Sequence, residues 1–380
     1  MMIYLDYCAT TPMSSSAQSI YTTIASKYYG NASSLHDLGY EAAEIITVSK
    51  QTIADRLGLD STGLYFTGSA SEANFLTLTS LAFAYLDKGN HLITSKCEHP
   101  SVLSTFTYLE QHGFSVTYLP VNNFGQVTLP TLIDAIQPNT TLVSISHGQS
   151  ELGTLQPIEE IGSFLSRYGI LFHSDCVQTV GKLSVPTTHL ASLTFSAHKL
   201  YGPKGIAAAY ICPGVKWVPF LPGSHHQNGF RHGTLDVPSI ASFAGAVDEA
   251  IAMKEKQLSL YRQLQQTFLN HLDTSVIVEG HPTERLPNHL GLRIKGLEGQ
   301  YVLLEANRAG FAISTGTACT SGHQEAPSSL LAIGRTVQEA HEFFRVSFGR
   351  DTTVKAVEQF TQFLHSLIER HKSMRQKVGT

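Results

Sequence analysis

Two short runs that end in ionisable side chains constrain this chain most. One is Gly169-Ile170-Leu171-Phe172-His173-Ser174-Asp175. The other runs from Ala191 to Phe195 and ends in Ser196-Ala197-His198-Lys199, followed by a Gly/Pro turn. Runs this short and this apolar suit strands buried on both faces, as in a parallel sheet covered by helices. Open sheets of that kind bind ligands just past the carboxyl ends of their strands, and Asp175 and Lys199 stand at such positions. Burial and nearby cations drive a lysine amine toward its neutral, nucleophilic form, which can form a Schiff base with an aldehyde. An acid on a neighbouring strand end is what a pyridoxal phosphate ring needs to keep its pyridine nitrogen protonated. Each residue alone has a plainer reading, Lys199 as a solvated loop lysine and Asp175 as a helix N-cap. Their pairing in this order favours the cofactor.

The rest of the chain narrows the class. Its 380 residues suffice for about two domains. A net charge of −4 gives no electrostatic case for nucleic acid or an anionic membrane. No apolar run reaches membrane-spanning length and the N-terminus has no signal-peptide pattern, so a cytoplasmic protein is expected. The five cysteines (Cys8, Cys97, Cys176, Cys212 and Cys319) are dispersed without a C-x-x-C, against a disulfide framework or structural zinc. His225, His226 and His232 share a glycine-rich loop but lack partnered metal-ligand spacing, so no metal is expected. The absence of G-x-G-x-x-G after a strand and of G-x-x-x-x-G-K-[ST] speaks against nicotinamide and P-loop enzymes.

Other stretches add candidate chemistry. The strand-like Gly63 to Thr67 breaks into Gly68-Ser69-Ala70-Ser71-Glu72-Ala73-Asn74 before an apolar helical run. Strand, small-residue turn and helix N-terminus together make an anion site suited to a phosphate, although a capping box without a ligand reads the same way. His99 follows the strand His91 to Ser95 and precedes Pro100 at a helix start. Its near-neutral pKa suits proton transfer, and the plainer alternative is a structural histidine. Asn31, in Gly30-Asn31-Ala32-Ser33, is a turn residue on local pattern. Helices are expected over Ser15 to Tyr29 and Pro130 to Ile136, and one long amphipathic helix over Ile240 to Leu272. Cys319 sits among small and hydroxyl residues in Ser314-Thr315-Gly316-Thr317-Ala318-Cys319-Thr320-Ser321-Gly322, unlike a structural cysteine with apolar neighbours.

The segments His173 to Lys182 and Phe195 to Gly205 resemble the class V aminotransferase fold family, and within it the NifS/IscS-like cysteine desulfurases. The resemblance runs from Tyr4-Leu5-Asp6-Tyr7 to Arg345-Val346-Ser347-Phe348-Gly349-Arg350. It implies an α/β protein of the aspartate aminotransferase-like, fold type I, PLP-dependent transferase fold. A large domain over 13–255, with a mostly parallel sheet, would bind the cofactor. Residues 1–12 and 256–380 would form a smaller α+β domain carrying a mobile cysteine loop. The implied cofactor is pyridoxal 5'-phosphate, attached at Lys199 and held by Asp175, Gln178, Ala70, Ser71, Ser196, His198, Ser150 and, across a homodimer interface, Thr234. His99 would stack on the ring and help move a proton, Asn31 and Arg345 would hold the carboxylate of L-cysteine, and Cys319 would accept its sulfur. The implied partner is a sulfur acceptor such as an iron–sulfur scaffold protein.

The chain departs from the family pattern at three places. Gln149-Ser150 stands where two Asn residues are usual, Gly68-Ser69-Ala70-Ser71 where Ser-Gly-Ala-Thr is usual, and Gln227-Asn228 where Glu and Arg are usual. Two alternatives remain at this level: a selenocysteine lyase or aminotransferase of the same fold, and a catalytically weakened sulfur-trafficking adaptor.

Overall fold

The computed structural model describes residues 2–223, 225–316 and 326–378. The strands are β1 (Ile3–Tyr4), β2 (Leu64–Thr67), β3 (His91–Ser95), β4 (Ser115–Leu119), β5 (Thr140–Ser144), β6 (Leu171–Asp175), β7 (Ser192–Ser196), β8 (Ala207–Ile211), β9 (Val276–Glu279), β10 (His289–Ile294), β11 (Phe311–Ala312) and β12 (Phe343–Ser347). Seven of them form one sheet in the order β2-β8-β7-β6-β5-β3-β4. All pairings are parallel except those of β8 with β2 and β7. The strand order reverses about β3, β5 and β6, and the carboxyl ends of the parallel strands share one edge.

Helices cover this sheet. They include α1 (Ser15–Lys27), α2 (Asp37–Leu57), α3 (Ala70–Ala84) and α4 (Pro100–Gln111). Strands β2, β3, β5, β7 and β8 are buried at every position, which is why they lack polar alternation and read as continuous runs. One apolar cluster joins Phe66, Val143, Phe172, Phe195 and Phe243 on one side, and another joins Leu78, Leu81, Leu92, Phe106 and Leu142 on the other.

A second centre forms around the antiparallel sheet β12-β10-β9. Its cluster includes Leu290, Leu292, Phe344, Val346, Phe360 and Leu364. Leu5 belongs to it, and β1 pairs in parallel with β11. The first residues of the chain therefore pack with its last third.

The single helix expected over Ile240 to Leu272 is two helices, Val237–Ala252 and Lys254–Asn270, meeting at Met253. The apolar pattern changes there. The first helix is buried around most of its circumference, whereas the second opens with Lys254-Glu255-Lys256 and buries only the stripe Gln257, Tyr261, Leu264 and Phe268.

Candidate functional site

Strand ends bring the two ionisable groups together. β6 and β7 are neighbours in parallel register, with Asp175 opposite Thr194. Five residues beyond Thr194, a short 3-10 turn (Ala197–Lys199) presents Lys199 at the same edge. The Asp175 carboxylate is fixed from two sides. Oδ1 accepts from the Val177 amide at 3.0 Å, and Oδ2 accepts from Asn74 Nδ2 at 2.9 Å. The turn-capping role and the exposed-end position thus coexist, although no helix follows Asp175. Asn74 is held in turn by Ser101 at 3.0 Å and by the Thr194 hydroxyl at 2.5 Å. This orienting residue was missed in the sequence; its signal was an amide side chain in the first turns of α3.

Lys199 Nζ donates to the carbonyls of Cys8 and Ala9 at 2.6 and 2.8 Å. Burial first, then the Arg345 and Lys182 cations, push its amine down to about 8, against the opposing influence of Cys8 and Asp6. The amine therefore gives up its proton far more readily than an ordinary lysine, and a neutral fraction is present near physiological pH. His99 caps α4: its Nδ1 accepts from the Ser101 amide at 3.1 Å, and Pro100 occupies the first turn. The ring keeps an exposed face, yet the protein packed around it disfavours its charge. Asp175 pulls it toward protonation and Lys199 pushes it away, so these three side chains share one electrostatic neighbourhood.

The start of α3 forms the cradle seen in the sequence. Ser69 caps the helix by accepting the Glu72 amide at 3.1 Å. Glu72 reaches back to the Gly68 amide at 2.5 Å, one residue earlier than a capping box requires, and Arg231 holds its other oxygen at 2.7 Å. Among the described residues the amides of Ala70 and Ser71 have no acceptor. Two free amides and a helix dipole at one spot suit a phosphate. Together with a readily deprotonated amine and a fixed carboxylate, this donor set fits a phosphorylated pyridine aldehyde.

The other expected residues fall out unevenly. Ser196 is buried at the end of β7. The Nδ1 of His198 pairs with the Thr10 hydroxyl at 3.2 Å, and burial first, then Lys199, hold its ring down at about 4. Gln178 donates to the Cys8 carbonyl at 3.0 Å and leaves a buried Oε1 without a partner. Arg345, on β12, bonds Asp6 at 2.8 Å and the Ser150 carbonyl at 2.9 Å, while its buried Nε has no partner. Asp6 was also missed, although it follows β1 as Asp175 ends β6. Asn31 is not brought to Arg345. Its Oδ1 accepts the Ser33 amide at 3.0 Å, and it lines a cavity of about 620 Å³ with Gln227, His232 and Gly233. Thr234 adjoins that loop. Cys319 lies outside the described residues.

The departures from the family pattern have local explanations. Gln149 is spent inside its own turn, its Oε1 accepting the Glu151 and Leu152 amides at 2.6 and 2.5 Å and its Nε2 donating to the Cys97 carbonyl at 3.3 Å. It does not stand in for Ser150. Ser150 contributes its backbone, whose carbonyl accepts from both Arg345 and His289. Gln227 and Asn228 adopt left-handed backbone at φ 48° and 57°. That turn lays the Gln227 amide along edge strand β2, accepting from the Phe66 N–H at 2.6 Å and donating to its C=O at 2.8 Å. A side chain thus completes the backbone pairing of an exposed sheet edge. The loop histidines have other partners: His232 meets the Leu221 carbonyl at 2.9 Å, and His226 Nδ1 accepts the Gly233 amide at 3.1 Å.

Comparison with known proteins adds to this geometry. The family model Aminotransferase class-V matches residues 3–360. A NifS protein of Halalkalibacterium halodurans is 54% identical over 97% of this chain and 99% of its own. The cysteine desulfurase IscS of Dictyoglomus turgidum is 35% identical over 98% of this chain and 96% of its own. Among solved structures, a NifS-like protein superposes with a TM-score of 0.91 at 28% identity, covering 97% of this chain and 100% of the other. SspA in complex with cysteine superposes with a TM-score of 0.80 at 31% identity, covering 91% and 98%.

Proposed function

The chain belongs to the class-V aminotransferase family, among its NifS- and IscS-type cysteine desulfurases, and we propose that it takes the sulfur from L-cysteine, releasing L-alanine and leaving a persulfide on Cys319. The observation that carries this reading is the meeting of a Lys199 amine lowered to about 8 and a fixed Asp175 at adjacent strand ends.

The cofactor is pyridoxal 5'-phosphate, which when bound supplies an electron sink for charge developing on substrate carbon. Lys199 would hold its aldehyde and Asp175 its ring nitrogen. Ala70, Ser71, Ser196 and His198, with Thr234 of a second subunit, would hold its phosphate, and Gln178 and Ser150 its ring oxygen. Arg345 binds the substrate carboxylate, a task its unpartnered Nε supports. Asn31 can join it only across a homodimer interface. Lys199 and His99 move the proton at the substrate Cα. The Cys319 thiolate attacks the substrate sulfur: the S–S bond forms as the Cβ–S bond breaks, the electron pair passes to Cβ, and protonation there gives alanine.

The same reading assigns residues 13–255 to a cofactor-binding domain and 1–12 with 256–380 to a second one, a division that two large apolar clusters support, while a small cluster of Leu152 with Leu330, Ile333, Ala340 and Phe343 bridges it. No helix among the described residues is long and apolar enough to cross a membrane. Cys8, Cys97, Cys176 and Cys212 are free thiols, which supports a reducing cytoplasm. The persulfide would pass to an acceptor such as an iron–sulfur scaffold.

The test incubates the purified protein with L-cysteine and a thiol reductant, with alanine and sulfide measured in parallel. Equal yields are expected from the unaltered chain, and neither product from Lys199→Ala or Cys319→Ala. Alanine that survives Cys319→Ala would replace the persulfide route with direct elimination, as in a lyase.

A further inference from the structure

Lys182 is a buried amine for which the proposed reaction has no use. It is 6% exposed, and its Nζ donates to the Gln178 carbonyl at 3.0 Å. Among the described residues no carboxylate pairs with it. A buried ammonium without an acid is costly and calls for a reason. The reason lies on its far side. Lys182 and Lys199 line one cavity of about 10 Å³, shared with Tyr201, Gln257, Tyr261 and Asn288. That is room for about one water. Asn288, 1% exposed, donates to the Phe348 carbonyl at 3.2 Å and leaves its Oδ1 without a partner. Lys182 therefore meets the Gln178 carbonyl directly and shares its cavity with Asn288, whose Oδ1 can accept. Burial lowers the Lys182 amine from its ordinary value, and these oxygens offset part of that penalty on its charged form.

We propose that Lys182 is a positioning residue for Lys199: it stands across the shared cavity and, by its like charge, keeps the Lys199 amine in its neutral, nucleophilic form. This rests on the reading of Lys199 as the aldehyde-binding amine. The other groups facing that amine are accounted for. Arg345 acts in the same direction as Lys182, and Cys8 and Asp6 oppose them. His99 and His198, the histidines beside it, are themselves disfavoured as cations. Arg345 is committed to Asp6 and the Ser150 carbonyl and, in the proposed reaction, to substrate. Lys182 shares a cavity with Lys199, and no step of the proposed reaction uses it. Two like charges lining one small, poorly hydrated cavity repel enough to move a proton equilibrium.

The experiment labels the apoprotein with pyridoxal 5'-phosphate across a pH series, traps the adduct with borohydride, and measures modified Lys199 by peptide mass spectrometry. In the unaltered chain, labelling should rise through about pH 8. Lys182→Met should move the midpoint upward by about half a unit or more, which is roughly threefold slower labelling at pH 7. Lys182→Arg should keep the original midpoint. A folded Lys182→Met protein with an unmoved or lowered midpoint overturns the proposal. Should Lys182→Met fail to fold, Lys182→Gln carries the test, because it removes the charge while keeping an N–H donor for the Gln178 carbonyl, and should give the same upward shift. An unmoved midpoint there overturns the proposal as well. Labelling of a lysine other than Lys199 in the unaltered chain would instead refute the assignment of the cofactor site, and this inference with it.

Discussion

Buried charge is handled in opposite ways by the two sheets. Beside the three-stranded sheet, Arg293 binds Glu279 at 2.5 Å and Glu342 at 2.7 Å, and Arg335 binds Glu279 at 2.9 Å. The side chains of Arg293, Glu279 and Glu342 are 4%, 1% and 8% exposed, so each charge has its counter-charge inside the protein. At the edge of the seven-stranded sheet, Lys182, Lys199 and Glu98 are buried or nearly so, and none touches an opposite charge. Lys199 meets only carbonyls, and Glu98 accepts the Ser146 amide at 3.0 and 3.1 Å. Pairing keeps ionised groups ionised and holds a structure together. Isolation shifts protonation, which destabilises the ionised form and prepares groups for chemistry.

The largest effect should come from breaking the paired cluster. Arg293→Met leaves Glu279 and Glu342 without their shared cation and should cost about 3–5 kcal/mol in denaturant unfolding. A loss below about 1 kcal/mol would show that the two sheets do not differ in this way.

A smaller effect is expected from an isolated group. Burial pushes the Glu98 carboxyl from 4.5 up to about 8. Its pKa is raised on folding, so its stabilising contribution is present below about 4.5 and is lost as pH rises through about 8. Glu98→Gln should remove that decline from thermal unfolding of the apoprotein followed between about pH 5 and 8.5. An equal decline in the variant would mean that other groups cause it.

The smallest effect belongs to a pair outside both clusters. Arg56 and Asp248 are bonded, but their side chains are 47% and 46% exposed. Arg56→Ala should change unfolding stability by less than about 1 kcal/mol, and still less at high salt. A change as large as that of Arg293→Met would make proximity, not burial, the deciding variable.

Much of the site was legible because it follows the chain's local rules. A buried parallel strand has no polar face to occupy, so it reads as an apolar run, and its end reads as the next polar residue. Asp175, Lys199 and His99 were found in this way. The α3 cradle was legible as a turn of small residues before a helix. The long helix over Ile240 to Leu272 was misread because its periodic pattern continues past Met253 while the buried face widens on one side of it. Asn74 and Asp6 were not found, because each acts on a residue far away in the chain, and Lys182 was not, because only the folded cavity brings it to Lys199. Asn74 reaches Asp175 over 101 positions, and Asp6 reaches Arg345 over 339.

The sequence by itself determined which groups could react and at which strand ends they would stand, because apolar periodicity and turn chemistry are local. Tertiary structure alone decided their protonation and partners. Gln227 became the pairing edge of β2, Gln149 a brace within its own turn, and Lys182 a neighbour of Lys199. Solvation and Coulomb interaction depend on distance and burial in space, and neither is written in the spacing of residues along a chain.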